Sequence, residues 1–427
     1  MKLSAPAGLY ELRHRIVSVG LPALVSRGSM VAWGILTILI IRKLPEEAYA
    51  VYAVARSLEM FGVLLGGGFV HQAVMKLVAE GDTERERRLA NAGVLVALAF
   101  AAISAFALIA GEDLLRSFYG ALDLGGIPAL LAGVVVTGTL SGLPRSLLLA
   151  KHRTKHVMLS DLLQFAVKGG VVGILLFSGA LNSAHQIFIA TIAANLAACI
   201  VSLWLARDLF SPRVGTGTGE IGTVMGFAVV TLGTSLANFV YSRTDILMLG
   251  KLKPDDVAAY GASRTLAGMV LPVVAAANMV LLPLVSRMWK QGRRREVLSR
   301  IWGSVFLAEV LMAPVVFAYV VFPGRIMNLV YGGKYTEAWP VMMVLGGLSV
   351  VRPLGSFFST ASAAVGKPQY SLYSVLISSI FNVALNIVLI PALGGLGAAL
   401  ATAAAVVTGT VWVVWASIRY MSSEAEG

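Results

Sequence analysis

Ala90–Ala110 reads ANAGVLVALAFAAISAFALIA, 21 residues with no charge and no alternation of polar and apolar positions. A helix needs about 20 consecutive apolar residues to cross the roughly 30 Å hydrocarbon layer of a bilayer. A spanning β-strand would show period-two alternation instead, so this run reads as a membrane helix. The whole chain has the same character. Its 427 residues are 57% hydrophobic and 13% charged, against roughly 25% charged in an average soluble chain. There is too little polar side chain to wet a globular surface.

Working outward, similar apolar runs fall near residues 16–41, 48–75, 89–110, 126–150, 157–179, 185–206, 221–249, 256–286, 301–322, 338–363, 370–391 and 395–418. The expected fold is an all-α polytopic membrane protein of twelve transmembrane helices. Twelve spans use up the chain, so a soluble catalytic domain of about 50 residues or more is excluded. Residues 1–15 read as a cytoplasmic or interfacial segment, and the first apolar run is long enough to be a retained helix rather than a cleaved signal. The single cysteine, Cys199, supports neither an intrachain disulfide nor a cysteine metal cluster. His71, His152 and His156 lie near span ends without metal spacing, so no metal or cofactor is expected.

The charges orient the spans. Segments on the N-terminal side of the membrane hold twenty Lys and Arg, including Arg85, Arg87 and Arg88 and the Arg293–Arg295 run; the opposite segments hold seven. The positive-inside bias places both termini in the cytoplasm and the chain in the plasma or inner membrane. The net charge of +12 is then mainly a topology signal. The basic runs at 85–88 and 293–295 read as loops facing anionic lipid headgroups rather than nucleic acid.

Shifting the sequence by 208 positions pairs Lys43 with Lys251, Leu44 with Leu252, Glu47 with Asp255, Tyr52 with Tyr260, Arg56 with Arg264, Leu58 with Leu266, Arg85 with Arg293 and Arg87 with Arg295. The series predicts an internal duplication. A six-helix N-terminal lobe, 16–210, joins a six-helix C-terminal lobe, 221–427, through a Gly/Thr-rich cytoplasmic linker at 211–220. An even number of helices per half makes the repeats parallel, and the expected arrangement is a V with a central cavity for a transported substrate.

Seven cations fall inside the predicted spans, Arg27, Arg56, Arg145, Lys168, Arg243, Arg264 and Arg352, against four acids, Glu59, Asp161, Asp245 and Glu309. An isolated charge at the bilayer centre costs about 2.5 to 3.5 kcal/mol on insertion scales, so a surplus of three cations points to an anion site. Arginine suits phosphate because its planar fork grips two oxygens and stays charged when buried. Arg145, near the end of its helix, is expected to snorkel to the headgroups. Arg56 and Glu59 share one helical face and can neutralise each other. Asp161, Gln164 and Lys168 form a polar stripe that serves either interhelical contact or function. Arg243 and Asp245, two apart, need partners elsewhere, with Arg264 available to Asp245. Arg27, mid-span with no acid within a turn, is the leading substrate-binding candidate, followed by Arg56 and Arg264, with Lys168, Arg243 and Arg352 behind them. Glu59, Asp161, Asp245 and Glu309 are the ion-coupling candidates. Asn382 and Asn386 read as interhelical hydrogen-bonding groups. Gly66–Gly68 and the Gly394, Gly395 and Gly397 cluster read as sites of close contact or bending.

The stretch from Asn382 through Asn386, Pro391, Gly394, Gly395 and Gly397 to Thr402 resembles the C-terminal signature of polysaccharide flippases in the multidrug/oligosaccharidyl-lipid/polysaccharide exporter superfamily. Arg243-Thr-Asp245-Ile-Leu-Met-Leu-Gly250, followed by Tyr260 and Arg264, is similar to that family's seventh and eighth helices. The resemblance implies alternating access and outward movement of an undecaprenyl-diphosphate-linked oligosaccharide, with proton or sodium antiport as an option. It also implies that Arg27, Arg56 and Arg264 line the cavity, as arginines on the first, second and eighth helices do in the lipid II flippase branch. Polysaccharide polymerase and glycosyltransferases are the implied partners beside membrane lipids. Two rival functions stay open. A multidrug antiporter would bind cations through cavity acids, which the cationic surplus opposes. A membrane enzyme of polysaccharide assembly would carry acid/base groups on a large outer loop, whereas the longest outer segments, 111–125 and 323–337, hold about 15 residues each.

Overall fold

A computed structural model describes residues 21–79, 83–209 and 215–426, with side chains at 32–79, 84–209 and 215–424. The expected N-terminal segment 1–15 and residues 211–214 of the expected linker lie outside the described residues.

Helix α1 spans Leu21–Lys43. It is followed by α2 (Glu46–Ala79), α3 (Glu84–Ala110), α4 (Ile127–Ala150), α5 (Thr154–Phe177), α6 (Ala184–Leu205), α7 (Thr218–Leu252), α8 (Pro254–Lys290), α9 (Arg294–Val321) and α10 (Thr336–Ala364). The last helical stretch, Gln369–Glu426, breaks at Gly394, where φ is 57° and ψ −131°, giving α11 (369–393) and α12 (395–426). Among the described residues this gives twelve spans of a polytopic membrane protein, each where an apolar run predicts one. Large apolar side chains such as Phe106, Phe177 and Phe306 point outward from these helices, as they must where the surrounding solvent is hydrocarbon. The segments at 111–125 and 323–337, expected as loops, instead contain short helices, Glu112–Phe118 and Pro323–Tyr331. Each exposes a leucine, Leu114 at 74% and Leu329 at 78%, and carries an arginine, Arg116 or Arg325. Such amphipathic pieces suit the interface between water and lipid.

The chain folds into two compact units, Met1–Leu236 and Ala237–Gly427. In the first, Phe69, Val70 and Val74 of α2 pack with Ala92 and Val96 of α3, Leu143 and Leu147 of α4, and Val224 and Ala228 of α7. The first half of α7 belongs to this core, so the unit extends to Leu236. Lipid offers no hydrophobic drive for helix association, so polar contacts fasten the bundle. Ser160 and Ser202 join α5 to α6 at 2.6 Å. Gln164 donates to Asn195 at 2.7 Å, and Asn195 donates to Thr137 at 3.3 Å, linking α5, α6 and α4. Helix α2 bends through a π-turn at Leu64–Gly68, where Gly67 has φ 115°. A β-carbon there would meet Ala97 at 3.2 Å. The Thr139 hydroxyl donates to the freed Gly66 carbonyl at 2.7 Å, which satisfies the broken ladder.

In the second unit, the Tyr319 and Tyr331 hydroxyls donate to the carbonyls of Leu266 and Ala262 on α8 at 3.0 and 2.9 Å. Ser374 and Ser378 of α11 donate to the Gly409 and Ala405 carbonyls of α12 at 2.7 and 3.0 Å. The α11–α12 turn is held from α8, where Asp256 accepts from the Gly395 amide at 2.8 Å. At the far end of α12, the Tyr420 ring lies between Trp289, with centroids 5.9 Å apart, and Lys367, whose ammonium is 4.7 Å away. These contacts tie the C-terminal turn to the ends of α8 and α10.

Candidate functional site

In the first unit, α2 presents Tyr52, Arg56 and Glu59 on one helical face, because spacings of three and four residues align side chains. Arg56 closes an ion pair with Glu59; Glu59 is nearly sealed at 6% exposure, whereas Arg56 keeps 37%. Lys168 of α5 is the next cation, with Arg56 and Glu59 as its charged neighbours. Its ammonium sits over the ring of Trp33 on α1, 4.0 Å from the centroid. Among the described residues Lys168 has no ion-pair partner. A cation–π contact holds an ammonium without cancelling its charge.

The second unit holds a counterpart. Asp245 of α7 is 1% exposed and accepts from Arg264 and from the Tyr260 hydroxyl, both on α8. The other carboxylate oxygen accepts from the Ile246 amide at 2.8 Å. The network continues into the α11–α12 hairpin. Tyr260 lies 3.4 Å from the Thr402 hydroxyl, Asn382 donates to Thr402 at 3.3 Å, and Asn386 donates to Asn382 at 3.0 Å. Arg264 also donates to the Ser242 carbonyl. Arg352 of α10 is the second cation here; its electrostatic neighbours are Tyr241, Arg264, Tyr260 and Asp245. Among the described residues it has no ion-pair partner.

Each unit therefore holds one arginine neutralised by a buried acid and, beside it, one cation without a matching acid among the described residues. Arg56 and Arg264, Tyr52 and Tyr260, and also Trp33 and Tyr241 stand 208 residues apart, so the common parts follow the internal repeat. Lys168 and Arg352 do not; each unit supplies its extra cation from a different helix.

The remaining predicted residues separate. The side chain of Arg27, on α1, lies outside the described residues. Arg145, expected to reach for the headgroups, instead has an acid partner on the neighbouring helix: its guanidinium makes a two-pronged pair with Asp161 on α5, Nε to Oδ1 at 2.8 Å and Nη2 to Oδ2 at 3.0 Å. The polar stripe of α5 thus splits, with Asp161 and Gln164 in interhelical contacts and Lys168 at the cationic cluster. Arg243 is half-buried on α7, two residues before Asp245. Glu309, half-buried on α9, has no ion-pair partner among the described residues. Sequence reasoning missed Trp33 and Tyr241 as site residues. Their common offset with Arg56 and Arg264 is the signal that finds them.

The geometry is that of two helix-borne clusters in which each paired arginine has a further cation beside it. The profile of the polysaccharide biosynthesis protein family matches residues 39–340. The chain belongs to this family. A probable low-salt glycan biosynthesis flippase of Haloferax volcanii is 24% identical over 241 residues, covering 56% of this chain and 50% of the relative; the chain's match thus spans half the relative's length. The inward closed conformation of the lipid II flippase MurJ superposes with a TM-score of 0.74 at 14% identity, covering 95% of this chain and 90% of the other. The inward-facing conformation of a multidrug resistance MATE family transporter of the MOP superfamily gives the same TM-score at 13% identity, covering 95% and 99%. This polysaccharide biosynthesis family member has the twelve-helix fold of MOP transporters, as the resemblance in its seventh, eighth, eleventh and twelfth helices implies. The solved structures that share this fold thus include both a lipid II flippase and a multidrug resistance transporter.

Proposed function

We propose that the chain is a flippase that carries a polyprenyl-diphosphate-linked oligosaccharide, with undecaprenol as the lipid, from the cytoplasmic to the outer leaflet by alternating access. The observation that carries this reading is the pair of extra cations, Lys168 and Arg352, each beside an arginine already neutralised by its own carboxylate. A diphosphate leaving water loses several kcal/mol of hydration per charge even after relaxation. A basic interior replaces that hydration, while the polyprenyl tail stays in lipid. A drug-cation carrier needs an acidic interior, and here three of the four intramembrane acids are occupied by arginines.

In this reading both termini lie in the cytoplasm and the protein in the plasma or inner membrane, which the chain's Lys/Arg bias supports. It takes Arg27, Arg56, Arg264 and Arg243 as further contacts to the headgroup, and the two six-helix repeats as the moving lobes. Outward movement of an anion is favoured in an inside-negative membrane by about 2.3 kcal/mol per charge per 100 mV. Where a proton or sodium ion assists, Asp245 is the best placed of the acids, since its contacts reach Arg264 and Tyr260 on α8 and Thr402 on α12, and through Thr402 the Asn382 amide on α11. Substrate reaches the chain from glycosyltransferases and leaves it toward a polymerase, with no bond broken in transit.

Proteoliposomes containing the purified chain test the function class. Protein-dependent exposure of lipid-linked oligosaccharide on the opposite leaflet, unaffected by a quaternary ammonium drug, is the expected result. Uptake of the drug without movement of the glycolipid, or release of polyprenyl diphosphate, would overturn the reading.

A further inference from the structure

We infer that the first unit carries a separate binding site for the phosphate of an anionic lipid headgroup, in the cavity where α2 and α4 end, α3 begins and the chain leaves α6. The cavity encloses about 410 Å³, within the range of small-ligand sites. Its floor is apolar: Val78 and Leu147 are 2% and 1% exposed, and Leu209 adds a third aliphatic wall. Its rim is ionic. Lys151 pairs with Glu86 at 2.5 Å. Arg153 grips Asp208, with Nη1 2.8 Å from Oδ1, and reaches the Leu205 carbonyl at 3.4 Å. Arg87 is the third cation on the rim, and among the described residues it has no acid partner.

Three cations against two acids leave the site one positive charge, supplied by Arg87. The two acids do not repel an anion strongly, because each is already matched by a base. Lys151 and Arg153 keep donors in hand after pairing, since an ammonium has three N–H groups and a guanidinium five. A phosphate that accepts from Arg87 and from the spare N–H groups of its neighbours would set its glycerol and the start of its acyl chains against the half-buried Leu209, with Val78 and Leu147 closing the base beneath. An apolar floor under a basic rim at the ends of membrane helices matches a lipid at the headgroup layer. A free phosphate would use the rim but leave the floor bare. The site is distinct from the Lys168 cluster: it is built from span ends and shares no residue with it.

Native mass spectrometry of the detergent-purified full chain with phosphatidylglycerol, phosphatidylcholine or inorganic phosphate tests this. Retention of phosphatidylglycerol over phosphatidylcholine is expected, with about a tenfold loss in Arg87→Gln, equivalent to about 1.4 kcal/mol, and recovery in Arg87→Lys. Lys290→Gln, which removes an exposed cation at a span end of the second unit, should leave retention unchanged. Equal retention of the two lipids, equal loss in Arg87→Gln and Lys290→Gln, or displacement of the lipid by millimolar inorganic phosphate would each overturn the inference. Where Arg87→Gln purifies poorly, the thermal shift that phosphatidylglycerol gives wild type and Arg87→Lys decides: no shift in either overturns it.

Discussion

Arg264 and Asp245 close an ion pair between α8 and α7 in which the carboxylate is 1% exposed and the guanidinium 25% exposed. The two ends of the pair are therefore not equivalent. Loss of the arginine strands a charge with no route to water, whereas loss of the acid leaves a cation that can still be hydrated.

This asymmetry predicts that Arg264→Gln destabilises the protein more than Asp245→Asn. Stranding a buried charge costs about 3 kcal/mol, and losing hydrogen bonds to a group that can rehydrate costs about 1 kcal/mol. Thermal unfolding of the two purified variants checks the order. The reverse order would mean that the carboxylate finds another partner, and the Tyr260 and Thr402 contacts are the ones to examine.

Lys168 and Arg352 should behave differently from the paired arginines. Neither has a matching acid among the described residues, so Lys168→Gln and Arg352→Gln are expected to unfold within about 1 kcal/mol of wild type, the cation–π contact of Lys168 being worth roughly that much. Their translocation rates should nonetheless fall about tenfold each, the equivalent of one charge-assisted contact. Measuring unfolding and translocation on the same preparations separates a role in substrate binding from a role in folding.

The spans were legible because composition and run length suffice to define a helix that must satisfy its own backbone in lipid. Pairs were legible where the partners share a helix face, as with Arg56 and Glu59, or where an unmatched acid had one cation within reach on the next helix, as with Asp245 and Arg264. The Arg145–Asp161 pair was not legible, because its residues lie 16 apart on neighbouring helices and only packing brings them together. For the same reason Lys168 read as part of the Asp161–Gln164 stripe, when its actual neighbour is Trp33 on α1. The short interfacial helices escaped notice because runs of seven and nine residues are too brief to show a period.

The turn between α11 and α12 provides a third prediction. Gly394 has φ 57°, and a β-carbon there would stand 1.9 Å from the Asp256 carboxylate oxygen that accepts from the Gly395 amide. Gly394→Ala is expected to cost about 1 to 3 kcal/mol from backbone strain and the displaced acid. Combining it with Asp256→Ala should recover part of the loss, a coupling that a thermal double-mutant cycle reads directly.

The Arg153–Asp208 contact outside the spans predicts a small pH effect. Arg153 hydrogen-bonds Asp208 and holds its carboxyl below the usual aspartate value, about 3.9. A folded-state value below the unfolded one contributes stability that is complete above about pH 4 and is lost as pH falls further. Asp208 is 53% exposed, so the contribution is roughly 0.5 kcal/mol. The stability difference between wild type and Arg153→Ala should shrink as unfolding is followed from pH 6 down to pH 3. A constant difference would assign the contact to packing rather than charge.

The most direct measurement is the rate at which proteoliposomes move a polyprenyl-diphosphate-linked oligosaccharide across the bilayer, compared between wild type and the Lys168→Gln/Arg352→Gln double variant at equal insertion. Wild type is expected to transfer the glycolipid intact and the double variant to be about a hundredfold slower, two charge-assisted contacts having been removed. Transfer by the double variant at the wild-type rate would contradict this.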